Sequence, residues 1–378
     1  MLEMANAVTE EPVNDNSPAD IIRHEMKKRG WSQADLAFVL GVTSSSINPI
    51  LSGKRGVSPE MAKALAGALD ISPERFAVAQ AAWELRQARD PDPGVLARAR
   101  IQSQYPLREM MRRGWIKEDA AGVELETQLC RFFNVDSLAE VPYLAHSAKR
   151  TEYSHIPPAQ LAWLFRVHHI AREMPTPLYV PSQLAATVER MRDLLGNPED
   201  TRHIPRMLHE AGVRFAIVEG LPGSKIDGVC FWLNKGAPVI GMSLRFDRID
   251  NFWFVLRHEC AHVLHGHGQA AAIVDASLEE LTLDLSEEER IANSEAAEFC
   301  VSQEKIRSFY QRKKPLFTER EVLAFSKIMK VHAGLVVGQL QRMAGRYDLL
   351  RKHLVSVRKY IAGSALVDGW GDVIPVEH

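Results

Sequence analysis

The run His258-Glu259-Cys260-Ala261-His262 sets two imidazoles four residues apart, with a carboxylate beside the first. On a helix, residues four apart share a face one turn from each other, so His258 and His262 can grip a single ion from the same side. Glu259 then stands beside that ion. Zinc lowers the pKa of a bound water towards neutrality, and a neighbouring carboxylate can take the proton as the oxygen attacks a polarised carbonyl. The chemistry is metal-assisted hydrolysis, with Glu259 as its catalytic base. Five residues with three fixed also arise by chance in roughly a few of every hundred chains of this size. The surroundings must therefore decide.

Those surroundings predict elements able to hold the pair. Asp247 reads as an N-cap with Asp250 three residues on, and Gly266 and Gly268 supply a stop. Between them Phe252, Phe254, Val255, Leu256, Ala261, Val263 and Leu264 surround most of the helix, which describes a helix sunk in a core. Three short β-like runs precede it, Val213 to Val218, Gly228 to Leu233 and Pro238 to Leu244. They predict a small sheet packed on the helix, with Val239 to Leu244 as the edge that would pair with a peptide substrate. Zinc needs a third protein ligand. His265 lies about 10 Å along the axis from His258, too far for three rings to converge. The other source is a second helix through Asn293 to Val301, in which Glu295 lies one turn before Phe299. Glu295 is the expected third ligand.

The stretch from about Gly212 to Gln303 resembles the ImmA/IrrE metallopeptidases. It carries Phe252-Trp253-Phe254, the His258 to His262 run, and Glu295-Ala296-Ala297-Glu298-Phe299 in the family's order. Ala297 stands where Asn or Asp is commoner, Cys300 stands for Ala, and the Leu-Leu-Met-Pro ending is absent. The resemblance implies a zincin-like fold, Zn2+ on His258, His262 and Glu295, and cleavage of a repressor or antitoxin-like protein. His332, in a segment similar to fused members of that family, is a further candidate to approach the site as an electrophile.

The amino-terminal part reads as short capped helices. Ser17-Pro18, Ser58-Pro59 and Ser72-Pro73 each join an N-cap serine to proline at the first helical position, with an acid following. Ala37, Gly41, Ile47 and Ile50 have helix-turn-helix spacing. The segment resembles the Cro/repressor-type helix-turn-helix family, and more narrowly the HigA-type antitoxins, through Gly53-Lys54-Arg55 and Ala81 to Leu85. The resemblance implies that Gln33 touches a phosphate, Ser44 and Ser45 face base edges, and Lys54 and Arg55 meet the backbone. Pro49 falls inside the recognition helix, where it removes a donor at about 3 kcal/mol in an ordinary helix interior. With no bidentate arginine on the reading face, modest sequence discrimination is expected.

At 378 residues the chain has room for two or three domains. A formal charge of -2 excludes a broadly basic surface, so any nucleic-acid contact must be local. No run reaches the length of a membrane span, and the acidic, polar first twenty residues are unlike a signal peptide, so a cytoplasmic protein without membrane partners is expected. Cys130, Cys230, Cys260 and Cys300 have no paired spacing and read as reduced. His168 and His169 read as packing or surface residues. The expected class is α+β and mostly helical: a tail over 1–16, a helix-turn-helix domain over 17–90, a helical region over 91–211, the metallopeptidase core over 212–312, and carboxyl-terminal helices over 313–378. The expected function is a transcriptional regulator joining DNA binding to a zinc endopeptidase; the alternative is a HigA-like antitoxin that binds DNA and a toxin, with the zinc domain as a non-catalytic sensor or scaffold. A homodimer is expected on either reading.

Overall fold

The computed structural model describes residues 17–91, 94–120, 122–138, 157–269, 273–276 and 286–375, so the expected tail over 1–16 lies outside the described residues. The chain divides into two compact units, Met1–Asp92 and Pro93–His378. Both are rich in helix, and the second also carries a small mixed sheet.

The first unit holds α1 (Pro18–Arg29), α2 (Gln33–Leu40), α3 (Ser44–Leu51), α4 (Pro59–Leu69) and α5 (Pro73–Gln87). Ser17 and Ser58 accept from Asp20 and Met61 backbone N–H groups, and Ser32 forms a reciprocal capping box with Asp35. Ser72 departs from that pattern, its hydroxyl turning to the Glu74 carboxylate instead. Gly41 ends α2 in the left-handed region at φ 67°, which lets the chain turn into α3 at 117°. Ile22, Leu36, Ile47, Leu65, Leu69 and Phe76 form the core beneath them.

In the second unit, α6 (Gly94–Gln104), α7 (Leu107–Arg112), α8 (Gly122–Phe133) and α9 (Pro158–Glu173) precede α10 (Pro181–Met191) and α11 (Ile204–Glu210). Then come β1 (Arg214–Val218), β2 (Ile226–Trp232), β3 (Pro238–Met242), α12 (Ile249–Leu264) and β4 (Ile273–Ala276). Helices α13 (Glu287–Cys300), α14 (Gln303–Lys313), α15 (Glu319–Met329), α16 (Ala333–Ala344) and α17 (Arg358–Ile361) lead to β5 (Leu366–Asp368). The sheet order is β4-β2-β3-β1-β5, with β1 parallel to β3 and β5, and β2 antiparallel to β3 and β4. Strand β3 is therefore interior. The expectation of an edge at Val239 to Leu244 is corrected, because both sides of β3 are taken by β1 and β2.

Alternation along the strands divides the core in two. Phe215, Ile217, Cys230, Ile240 and Met242 join the cluster around α12, whereas Ala216, Val218, Val229, Phe231 and Val239 join the cluster around α9. Strand β5, which sequence patterning did not foresee, is fastened from the α9 side. The buried Asp368 carboxylate pairs with buried Arg166 and accepts from Trp115 Nε1 at 3.0 Å, while Trp163 Nε1 donates to the Val218 carbonyl at 2.8 Å. Removing one partner of such a buried pair costs about 3–5 kcal/mol, because the other charge is left without compensation.

His168 and His169 are packing residues here, His168 stacked on Phe231 and His169 edge-on to Phe132. Burial pushes His169 down to about 4, so it packs as a neutral ring. Among the described residues no single helix is long and apolar enough to cross a membrane.

Candidate metal centre and helix-turn-helix face

Helix α12 begins one residue later than its acids suggested. Arg248 is the N-cap, and Asp250 pairs with Arg248. Asp247 sits at φ 44° and turns its carboxylate to the Val357 and Arg358 backbone N–H groups at 3.0 and 2.7 Å, so it caps α17 instead. Of the expected apolar girdle of α12, Phe252, Val255, Leu256, Ala261 and Val263 are each at most 1% exposed, as is Trp253, while Phe254 and Leu264 are half-buried. His258, Glu259 and His262 are fully buried among them.

The two ring nitrogens meet, His258 Nε2 to His262 Nε2 at 2.9 Å. The carboxylate that closes on them belongs to Glu289, with Oε2 3.4 Å from His258 Nε2 and Oε1 3.4 Å from His262 Nε2. Among the described residues this is the group of ligand atoms placed to hold a metal ion. Ligands about 2.0–2.2 Å from a tetrahedral zinc ion stand about 3.4 Å apart; the donor types and both glutamate–histidine distances fit that ion, while the 2.9 Å histidine pair would have to open by about 0.5 Å. Burial would raise the Glu289 pKa, but hydrogen bonds and charge from His258 and His262 outweigh it and hold the carboxyl well below the usual range.

Glu295, the expected third ligand, does not join this group. Its Oε2 accepts from Arg257 Nη2 at 2.7 Å and its Oε1 pairs with His265 Nε2 at 2.8 Å. The two glutamates stand six positions apart on α13, which turns them about 120° apart round the helix axis. Only one of them can face the α12 pair. Burial opposes ionisation of Glu295, yet His265 and Arg257 hold its pKa below the ordinary value. The Glu295 pair with Arg257 and His265 ties α13 to α12 beside the histidines.

His267 is a second residue that sequence reasoning passed over. Gly266 at φ 70° and Gly268 at φ 77° turn the chain back, so that His267 Nδ1 stands 3.0 Å from His262 Nδ1. The His267 carbonyl accepts from Trp232 Nε1 at 2.8 Å, which anchors this turn to β2. A Cβ at Gly268 would meet the Cys230 carbonyl oxygen at 2.9 Å, so glycine is needed there for space as well as for φ.

Glu259 lies across the backbone of β2 at Gly228. A Cβ on Gly228 would intrude on Glu259 Oε1 and come within 2.9 Å of Val255 Cγ1. Gly228→Ala is expected to lower stability by about 1–3 kcal/mol through overpacking, measured by urea denaturation. In a Glu259→Ala background the same change should cost clearly less, because most of the obstruction is gone. Equal costs in both backgrounds would place Glu259 elsewhere.

His332 caps α16, its ring accepting from the Gly334 N–H at 3.0 Å, and so serves a helix end. The buried cysteines behave as small apolar groups. Burial pushes the Cys260 thiol up to about 12 and raises Cys230 and Cys300 as well.

In the first unit, Gln33 Nε2 donates to the Ser44 carbonyl at 2.9 Å, tying the start of α2 to the start of α3. Ser44, Ser45, Ser46 and Asn48 are exposed along α3, and Thr43 Oγ1 lies 2.8 Å from the hydroxyls of both Ser45 and Ser46. Pro49 stays inside α3, flanked by buried Ile47 and Ile50. Its carbonyl accepts from the Lys54 and Arg55 N–H groups at 2.9 and 3.0 Å, which fixes the loop carrying those two exposed cations. All five expected contact residues thus lie on α2, α3 or the loop after α3.

A helix-turn-helix family model matches residues 22–76. Over 75 residues the chain is 31% identical to the uncharacterized HTH-type transcriptional regulator YddM of Escherichia coli strain K12. That similarity covers 20% of this chain and 80% of YddM.

Proposed function

Since the chain belongs, through its first unit, to the helix-turn-helix family, we propose that it is a DNA-binding transcriptional regulator whose second unit is a zinc-dependent endopeptidase. The observation that carries the enzymatic half is the convergence of His258, His262 and Glu289 beside buried Glu259. The substrate class is a repressor or antitoxin-like protein, as the resemblance to the ImmA/IrrE metallopeptidases implies.

His258 and His262 would hold the ion through Nε2, and Glu289 through a carboxylate oxygen. A bound zinc ion supplies Lewis acidity towards a carbonyl and a more acidic water. With Nε2 committed, His262 carries its proton on Nδ1, and His267 Nδ1 at 3.0 Å is placed to accept it and hold the ring. Glu259 takes a proton from the attacking water and returns it to the leaving amine. Burial of these side chains keeps bulk water from competing for those protons. Strand β4, the outer strand beside β2, offers the sheet edge for an extended peptide in place of β3.

The deciding experiment loads the full chain with zinc and incubates it with the repressor or antitoxin encoded next to its gene, following both proteins for fragments. Fragments that require zinc support the reading. A chain that neither retains nor takes up zinc would overturn it.

For the first unit, Lys54 and Arg55 are proposed to meet phosphates while Ser44 and Ser45 face the groove and Gln33 sets their register. Replacing both cations by alanine should weaken DNA binding evenly across sequences and reduce the slope of log K against log salt by about 2. Electrophoretic mobility shifts over a salt series would measure it, and an unchanged slope would remove these residues from the interface.

A further inference from the structure

A crevice of about 340 Å3 opens in the second unit, and none of the residues lining it belongs to the candidate metal centre. It lies where three parallel strands end. Glu219 follows β1, Ser243 and Arg245 follow β3, and Trp370 follows β5. In open sheets, ligands bind outside the carboxyl ends of parallel strands, where the departing chain leaves a gap.

Its lining is cationic and its cations are braced. Lys225, Arg245 and Arg358 line it against two acids, Glu219 and Asp247. Arg245 lies 4.6 Å from the Phe246 ring, 3.7 Å from Asp227, and donates to the Lys225 carbonyl at 3.4 Å. Arg358 lies 4.7 Å from the Trp370 ring and 3.8 Å from Asp247. An aromatic face against a guanidinium fixes its plane while leaving its N–H edges able to bind an oxyanion in bidentate fashion. Both acids are occupied by other donors. Glu219 accepts from the Trp370 N–H at 2.7 Å, and Asp247 from the Ser356 hydroxyl and the Val357 and Arg358 N–H groups. Buried Ser243 stands at the floor, its hydroxyl donating to the Ile226 carbonyl at 2.6 Å.

We propose that this crevice binds a small organic anion, its carboxylate or phosphate group held between Arg245 and Arg358. The volume is near the lower end of the roughly 300–1,000 Å3 common for small-molecule sites, which suits a compact metabolite better than a nucleotide cofactor.

The test is calorimetric titration of the full chain with inorganic phosphate and, separately, with succinate. The parent is compared with Arg245→Gln, Arg358→Gln and His258→Ala. At least one probe should bind one per chain, weakened roughly tenfold or more in each arginine variant and unchanged in His258→Ala, where an ion at the metal centre is no longer available to hold it. Binding of phosphate alone identifies a phosphate ester as the source, and binding of succinate alone identifies a carboxylic acid. Should a glutamine variant fail to fold, Arg245→Lys takes its place and must also weaken binding through loss of the bidentate edge. No binding of either probe to the parent overturns the proposal. So does binding that survives the arginine changes in folded protein, or that disappears with His258→Ala.

Discussion

Glu289→Ala protein is expected to purify with little or no zinc, while Glu295→Ala protein keeps close to one ion per chain. The argument is geometric. Glu289 places an oxygen 3.4 Å from each ligand nitrogen, whereas both Glu295 oxygens are turned to Arg257 and His265. Structural zinc sites bind with about 10–16 kcal/mol spread over four protein ligands. One ligand's share is then about 3 kcal/mol, or on the order of a hundredfold in affinity. Loss of Glu295 removes a tie between α13 and α12 and should weaken binding by about tenfold, the lower end of the range for groups that orient ligands. Zinc stoichiometry and competition with a chromogenic chelator would measure both. The reverse ranking would return the third position to Glu295 and require α13 to turn on its axis.

The reason Glu289 escaped sequence reading lies in where α13 begins. A helix read from Asn293 leaves Glu295 as the acid best placed to face His258 and His262. Ser286, however, accepts from the Glu289 N–H at 3.2 Å and starts the helix at Glu287, almost two turns earlier. From that start, Glu289, Ala292, Ala296 and Phe299 recur at spacings of three and four, and Ala292, Ala296 and Phe299 are buried. Glu289 heads this inner stripe and Glu295 stands off it. The Ser286-Glu287-Glu288-Glu289 run was a helix-start signal available in the sequence, masked by the many acids around it. Asp247 shows the converse. Its type suited an N-cap, but a residue at φ 44° caps α17, far along the chain, and local pattern carries no information about such a partner.

Short-range signals were the more legible ones. Serine–proline starts, Gly41 and the spacing of Ile47 and Ile50 set out the first unit because each acts within a few residues. The three central β runs were visible from their β-branched and apolar content, with ends shifted by one or two residues. Their order was not. Strand β5 is three residues long and pairs with β1 from far along the chain, so its place depends on the Arg166–Asp368 pair and the Trp115 indole. That order also decides which strand is outermost, and hence which one a peptide could meet.

Glu259→Gln should retain zinc and lose turnover by about 10²–10⁴-fold, the usual contribution of general acid–base catalysis. The amide matches the carboxylate in size, so the close approach to Gly228 is preserved and the fold should be undisturbed. What it lacks is the capacity to take a proton. The carboxylate is fully buried against Gly228 of β2, one residue after His258 on α12. His262→Ala, in contrast, should lose zinc and turnover together. The comparison is informative because the two variants separate on metal content while agreeing on activity. Zinc analysis beside single-turnover cleavage of the partner protein makes the measurement, and undiminished cleavage by zinc-loaded Glu259→Gln would assign the base to another group.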